Sequence, residues 1–202
     1  MTDTTGDALV ALDTTHPIWE RFFSVAPLVL VGSKDPGGTY NVAPKHLALP
    51  LGWENYYGFV CSPRHHTYRN VVAHGQFTVS FPRPGQVLAT SLAATPRWDD
   101  DSKPGLQAVD TFPARAVDGV LVQHCYAYLE CQLDRVVDGF GANSLIAGRV
   151  VAAHVAEEAL RTLDRDDNDL VRQTPLLAYV GPGRFARIDE TLAFPFPAGF
   201  AR

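Results

Sequence analysis

Apolar residues occur along this chain mostly in short runs of strand length, broken by glycine, proline and polar clusters. PLVLVG at 27–32 is continuously apolar and predicts a strand buried on both faces. Asp35-Pro36-Gly37-Gly38, within SKDPGG at 33–38, is strong turn chemistry. The stretch TYNVAPKHLALPL at 39–51 resumes as extended chain interrupted by Pro44 and Pro50. Proline cannot donate to a sheet ladder, so these two mark an irregular or edge strand whose backbone is partly unpaired. Further strands are predicted at 55–61, at 76–81 (QFTVSF) and at 144–153 (SLIAGRVVAA), with a hairpin-like ending at 179–188. The longest predicted strand is 120–136, VLVQHCYAYLECQLDRV. It would place Leu121, Gln123, Cys125, Ala127, Leu129, Cys131 and Leu133 on one face.

Helical spacing is rarer. HPIWERFFSV at 16–25 carries Ile18, Trp19, Phe22 and Phe23 at helical intervals. Residues 63–74 have a short stripe of Tyr68, Val71 and Val72, and Gly75 can close that helix. Residues 85–94 and the charged segment 156–172 also read as helices, while 95–119 is a long loop of the kind that is functional or contacts a partner. The tail FPFPAGF is expected to pack on a surface. Many strands, few helices and a strand-turn-strand order predict a mainly β protein, a barrel with peripheral helices rather than a doubly wound sheet. Length suits a flexible N-terminal tail at 1–15 followed by a single domain at 16–202, without internal repeats.

Composition narrows the classes. Hydrophobic residues make up 46% of the chain, ample for a core. Charged residues make up 19%, below the usual value of about 25%, which suggests surface buried in an oligomer. A net charge of −5 argues against a general nucleic-acid binder. No apolar run is long enough to span a membrane, and the N-terminus lacks a basic signal-peptide region, so a cytoplasmic location is expected. Cys61, Cys125 and Cys131 form no C-x-x-C pair and read as buried reduced thiols. Cys125 and Cys131 would lie about 20 Å apart along one strand face.

The chemistry concentrates at CSPRHHTYRN, 61–70. Between Glu54 and Asp99 there is no acidic residue, while Arg64, Arg69, Arg83, Arg97, His65, His66 and His74 all fall in that window. Ser62 is a candidate N-cap and Pro63 suits the first helical position. A helix N-terminus with added positive charge is an anion site, here read as a phosphate seat. The alternative is an ordinary strand–helix junction with a solvated charged face. Cys61 with His65-His66 is not a standard zinc spacing, and His124-Cys125 point to opposite faces of a strand, so no metal is expected. Asp99-Asp100-Asp101 reads as a solvated turn. There is no G-x-G-x-x-G, no P-loop and no G-x-S-x-G elbow around Ser62, and no catalytic residue is assigned.

Three stretches resemble the flavin reductase-like proteins, FMN-binding split barrels that include reductases and proteins related to flavoprotein oxygenases. They are LVLVGSKDPGGTYNVAPKHLALPL, CSPRHHTYRNV with the following GQFTVSFP, and SLIAGRVVAAHV; with YVGPGRFARI they extend over about residues 25–190. The resemblance implies a Greek-key-like split β-barrel, a homodimer, and FMN near the dimer interface. NADH or NADPH would be a transient co-substrate and a partner oxygenase a candidate acceptor. It also implies that Asn41, Val42, Ala43, Pro44 and Lys45 present backbone groups to the flavin ring. Cys61, Ser62, Pro63, Arg64, His65, His66, Thr67, Arg69 and Asn70 would hold the phosphate, with Ser80 and Phe81 close by. Lys45 either stabilises the reduced ring from its N1 side or is a surface lysine. Many such reductases carry an Asp-His pair before the Gly-Arg of the late strand. Here the region reads GANSLIAGRV, with Asn143 or Ser144 in that neighbourhood. Two functions therefore remain: an FMN oxidoreductase, or a non-enzymatic FMN-binding electron carrier.

Overall fold

The computed structural model describes residues 9–199; residues 1–8 of the expected N-terminal tail, and Phe200 of the aromatic tail, lie outside them. Its strands are β1 (Ser24–Pro27), β2 (Val29–Lys34), β3 (Tyr40–Lys45), β4 (Ala48–Pro50), β5 (Tyr56–Cys61) and β6 (Gln76–Phe81). They continue with β7 (Thr111–Pro113), β8 (Val120–Val122), β9 (Ala127–Phe140), β10 (Asn143–Val155), β11 (Leu176–Gly181) and β12 (Arg184–Ile188). Three α-helices, α1 (His66–His74), α2 (Val87–Leu92) and α3 (Asp167–Gln173), lie between them.

The architecture is mainly β, as the pattern predicts. Seven strands form one antiparallel sheet in the order β3-β2-β6-β9-β10-β5-β4. Its two edge strands, β3 and β4, are consecutive in the chain and joined only by His46 and Leu47. Three residue steps reach at most about 11 Å, so the sheet has to curl until its edges nearly meet. Pro44 and Pro50 sit on those two edges, where a missing N–H costs no central ladder bond. A second sheet, β1-β11-β12, docks near this split, where His46 stacks on Tyr179 of β11 with ring centroids 4.3 Å apart.

Strand β2 is apolar on both sides because both sides are covered. Val29 and Val31 pack with Phe59, Phe77, Val79 and Ile146 in one core cluster, and Phe59 meets Phe77 edge to face at 5.3 Å. Leu30 faces a second cluster with Val42, Ala93, Val109 and Val122, under α2 and the β7–β8 hairpin. The turn after β2 closes as expected, with Gly38 N–H donating to the Asp35 carbonyl at 3.0 Å.

Several expectations are corrected. Residues 16–25 are turns leading into β1, and Trp19 and Phe23 are exposed, so their helical spacing marks no helix. Helix α1 starts at His66, three residues beyond Pro63, and its N-cap is His65 rather than Ser62, without a side-chain capping bond. Its buried positions are Thr67, Asn70 and Val71, whereas Val72 is exposed. At its other end Gly75 does adopt the left-handed conformation, φ 67°, and its N–H reaches the Val71 carbonyl at 2.8 Å. The predicted strand 120–136 is cut by a turn at 123–126, with His124 at φ 62°, leaving β8 and β9. Cys125 and Cys131 therefore belong to different core clusters instead of one strand face. All three cysteines are free and buried. The charged segment 156–172 is no continuous helix: it holds a short 3-10 turn, Glu157–Ala159, and all but the last residue of the short α3. No helix of the described residues is long and apolar enough to cross a membrane.

Gly32 shows how closely the β7–β8 hairpin lies on the sheet: a Cβ there would meet Thr78 Oγ1 and would come 2.5 Å from the backbone carbonyl of Val120. Backbone cannot rotate away as a side-chain tip can. Gly32→Ala is therefore expected to destabilise the fold by about 1–3 kcal/mol, read as a lower urea midpoint at unchanged slope. An unchanged midpoint would show that the hairpin is free to lift off.

Candidate functional site

Edge strand β3, the turn that starts α1, and the loop after α2 enclose a cleft of about 380 Å³. Asn41, Ala43, Pro44 and Lys45 line it from β3; Arg64, His65, His66 and Thr67 from the α1 start; Ala93 to Arg97 and Lys103 from the third side. Two segments expected to meet do meet here, and a third joins them.

The junction is held by a buried polar network. Asp35, which opens the turn after β2, accepts from Arg97 at 2.6 Å through Oδ2 and from Asn70 Nδ2 at 2.8 Å through Oδ1. Asn70 also donates to Ser33 Oγ at 3.1 Å. Asn41 Nδ2 donates to Thr67 Oγ1 at 3.3 Å, tying β3 to the first turn of α1. Lys103 crosses the cleft to the Val42 carbonyl at 2.8 Å and Asn41 Oδ1 at 3.1 Å. Buried polar groups without such partners would each cost free energy, so the network fixes one arrangement of the three walls.

The cleft has an excess of positive charge. Two of the chain's three lysines line it, with two arginines. Burial, and then the neighbouring cations Arg97 and Lys45, push the Lys103 ammonium down to about 8. Burial first, then Lys45 and Arg69, holds His65 below its ordinary value, and burial followed by Arg97 does the same for His66. His66 Nε2 lies 3.6 Å from Asp101. The first turn of α1 carries no acidic residue. An anion placed there would relieve this repulsion and meet helix N–H groups.

The remaining expected residues lie around the cleft rather than in its wall. Val42 is buried behind it and gives its carbonyl to Lys103. Cys61 is buried beneath, its Sγ 3.8 Å from His65 Nδ1. Ser62 and Pro63, with Arg64, face a second cleft against the tip of the β9–β10 hairpin, lined by Asp138, Asn143 and Ser144. Ser144 Oγ donates to Asp138 Oδ1 there at 2.6 Å. Arg69 is exposed off the cleft wall and Asn70 is buried behind it. Ser80 and Phe81 do not line it: Ser80, separated from Pro44 in the ladder only by Leu30, accepts from Val122 N–H through Oγ at 3.0 Å, and Phe81 packs on Tyr57 with centroids 5.8 Å apart. Sequence reasoning passed over Asp35, Arg97 and Lys103 as site residues. The signals were a loop too long to be idle and a basic window that ran on to Arg97.

Fold and site together define a split-barrel protein with an anion-attracting cleft at the barrel's edge strand. The chain belongs to the family of the flavin reductase like domain, whose sequence profile matches residues 23–184. No curated protein matches it significantly. Among solved structures it is similar to nitrilotriacetate monooxygenase component B from Bacillus cereus, with TM-score 0.80, 19% identity, and coverage of 94% of this chain and 100% of that one. Flavoredoxin from Methanosarcina acetivorans gives TM-score 0.76 at 17% identity over 96% and 98% of the two chains. An FMN-binding protein from Thermus thermophilus with bound 1-cyclohex-2-enone gives 0.72 at 21% identity over 93% and 99%. These likenesses establish the fold, and the family establishes a flavin-related function.

Asp35→Ala removes the buried carboxylate partner of Arg97, leaving it only Asp101, and leaves Asn70 with Ser33 alone. Breaking one side of a largely buried ion pair is expected to lower the unfolding free energy by about 3 kcal/mol, measured by urea denaturation. The loop 95–103 should also become more sensitive to limited proteolysis. Stability and proteolysis like the parent's would mean that the pair does not brace the cleft.

Proposed function

We propose that this protein is an FMN-binding oxidoreductase whose cleft holds FMN, with its phosphate at the start of α1. The observation that carries the reading is the cation cluster Lys45, Arg64, Arg97 and Lys103, of which only Arg97 has a carboxylate partner among the described residues, at a helix N-terminus beside an edge strand. The donor set fits a phosphate monoester: hard, charged N–H groups, the Thr67 hydroxyl and helix amides, with no acidic side chain in the cleft wall. The volume lies within the range of small-molecule sites, about 300–1,000 Å³. When bound, FMN would supply the redox chemistry, accepting hydride from NADH or NADPH and passing electrons to a flavin, a partner oxygenase or a small acceptor.

The protein's part is placement and charge. Lys103 and Arg97 would close on the phosphate from the loop after α2. Thr67, already aligned by Asn41, would offer its hydroxyl. Lys45 would stand at the β3 side, where positive charge favours an anionic reduced ring. Exposed apolar side chains, among them Val25, Leu49 and Phe185, supply a surface for a homodimer. A cytoplasmic setting suits such chemistry. The second reading, a non-enzymatic electron carrier, is favoured by one observation: Asn143 and Ser144 stand where many of these reductases carry a histidine, and Ser144 is engaged by Asp138.

FMN released on denaturation, or bound when added, is the primary test; absence of both overturns the proposal. Lys103→Met, which keeps the side-chain bulk, should weaken FMN binding about tenfold, as expected for one lost charge-assisted bond. Arg69→Ala should titrate like the parent. The pH dependence has a definite sign. Lys103 is cationic below about pH 8, where affinity is full. Above that it is neutral in the free protein, so FMN must draw a proton onto it and affinity falls. Lys103→Met should lose this decline, and calorimetry in buffers of different ionisation enthalpy reads the proton directly.

Activity separates the two readings. Anaerobic stopped-flow mixing of the FMN-loaded protein with NADH and with NADPH should bleach the flavin faster than free FMN is bleached, with a weak dependence on nicotinamide concentration because no dinucleotide fingerprint is present. If neither nicotinamide does so, the carrier reading replaces the reductase.

A further inference from the structure

Lys103 is held in a way that sets it apart from the other cations of the cleft. It enters from the loop after α2 and is only partly buried there. Its Nζ donates to two neutral acceptors, the Val42 carbonyl at 2.8 Å and Asn41 Oδ1 at 3.1 Å. No carboxylate lies within ion-pair distance of it among the described residues, whereas Lys34 is paired with Asp118. A lysine nitrogen is tetrahedral. One position is its own Cε, and these two hydrogen bonds take two more. Both acceptors belong to β3, so the fourth position is turned off that wall, toward the open cleft. In the ammonium it carries the third N–H; in the neutral amine it carries the lone pair.

The surroundings favour the amine. Burial, then Arg97 and Lys45, outweigh the pull of Asp35 and bring the change between the two forms from an ordinary 10.5 down to about 8. Arg64, His65 and His66 line the same cleft from the α1 start, and none supplies a negative charge. Lys34 is shifted the other way, because its hydrogen bond to Asp118 holds the proton on. The amine also stands close to the anion-attracting start of α1. A single side-chain amide separates Lys103 Nζ from Thr67 Oγ1, since Asn41 takes Lys103 on Oδ1 and donates to Thr67 through Nδ2. A guest that spans this distance carries an anion at one end and a reacting carbon a few bonds away. The cleft of about 380 Å³ has room for one.

We propose that Lys103 is a nucleophilic amine that captures small phosphorylated aldehydes as an imine, with their phosphate at the start of α1. For the phosphate seat this rests on the FMN reading; the covalent step is independent of it. The lone pair of Nζ forms the C–N bond to the carbonyl carbon. The carbonyl oxygen then leaves as water with the two protons of the amine, so aldehyde and amine give imine and water without any oxidant or reductant. The Val42 carbonyl and Asn41 Oδ1 set the direction of the lone pair before the guest arrives, which is the protein's contribution to the rate. The imine occupies the cleft, so capture of the aldehyde and binding of FMN exclude one another, and the aldehyde acts as a covalent competitor of the flavin.

The test treats the full chain, freed of flavin, with pyridoxal 5′-phosphate and with pyridoxal, which share the aldehyde and differ in the phosphate. It is run at about pH 8, where the two forms of Lys103 are balanced. Borohydride reduces any imine to a stable secondary amine, and peptide mass spectrometry places it among the chain's three lysines. The phosphorylated aldehyde should label Lys103 ahead of Lys34 and Lys45, at a concentration at least about tenfold below the one pyridoxal needs. Bound FMN should protect Lys103. Lys103→Met should lose the label; should that variant fail to fold, the site assignment in the parent decides alone. If the protein binds no FMN yet Lys103 is labelled with the phosphate preference, the imine stands and the FMN reading alone fails. If FMN binds and Lys103 stays unlabelled, is labelled no more than Lys34 and Lys45, reacts equally with pyridoxal, or is labelled through bound FMN, the proposal is overturned and the FMN reading stands.

Discussion

The arrangement of the cleft rests on the two short hydrogen bonds that Asp35 accepts from Arg97 and Asn70, beside a longer one from Thr39 Oγ1 at 3.5 Å. Its carboxylate is almost wholly buried, and a buried charge without partners is far costlier than the pair it makes. Arg97 and Asn70 take one oxygen each, so the turn after β2, the interior face of α1 and the loop after α2 are fixed to one point. Nothing else in the acid-free stretch from 55 to 98 can neutralise the cations gathered there. Asp35 and the exposed Asp101 both pair with Arg97, and Lys45, Arg64 and Lys103 have no carboxylate partner among the described residues, so the cleft stays positive. The residue that braces the walls is thus also the reason the remaining charge is available to an anion.

The barrel supplies the second constraint. A seven-stranded sheet whose two edges are consecutive in sequence can neither open flat nor close into a continuous ladder. Pro44 and Pro50 prevent full pairing, and the His46-Leu47 link keeps the edges close. The open edge at β3 thus faces helix α1 with backbone groups that no neighbouring strand takes. Edge strands are commonly a liability; here the edge forms one wall of the cleft, and Lys103 already claims the Val42 carbonyl on it.

Much of this was legible in the chain because its causes are local. The β2 run, the Asp35-Pro36-Gly37-Gly38 turn, the strands at 55–61 and 76–81 and the Gly75 helix end follow from periodicity and backbone preference. The errors share a different cause. Trp19, Phe22 and Phe23 have helical spacing but no surface to bury against, so the segment stays irregular. The alternation of 120–136 continues across a turn at His124, because period two cannot distinguish one long strand from two strands in series. The helix predicted over 156–172 had charge without an apolar stripe. In the cleft, Asn41 to Lys45 and Arg64 to Thr67 are neighbours in sequence and were found as groups. Asp35, Arg97 and Lys103 are brought together by loop packing that no short window encodes. Ser80 and Phe81 were drawn in by the resemblance; they point to opposite faces of β6, Ser80 toward the β7–β8 hairpin and Phe81 onto the barrel core, and neither lines the cleft.

Asp35 and Glu130 show two ways in which a buried carboxylate braces a loop. Both are buried, and both hold a loop against the large sheet. At Asp35 each oxygen has a strong donor, so its bonding capacity is met within the chain and its role is mechanical. At Glu130 of β9 three backbone N–H groups, from Arg115, Ala116 and Val117, converge on Oε2, while Oε1 lies 3.5 Å from His154 Nε2, and Thr78 of β6 and Ala152 of β10 pair with the residue on either side in the ladder. The nest of N–H groups from 115–117 is enough to hold the hairpin turn, so the structural requirement is met by Oε2 alone. A buried, ionised Oε1 left over after that requirement adds cost without adding support. That cost is offset by the three N–H groups on Oε2 and by His154 at 3.5 Å from Oε1, so Glu130 fixes the hairpin on the sheet as Asp35 fixes the walls of the cleft.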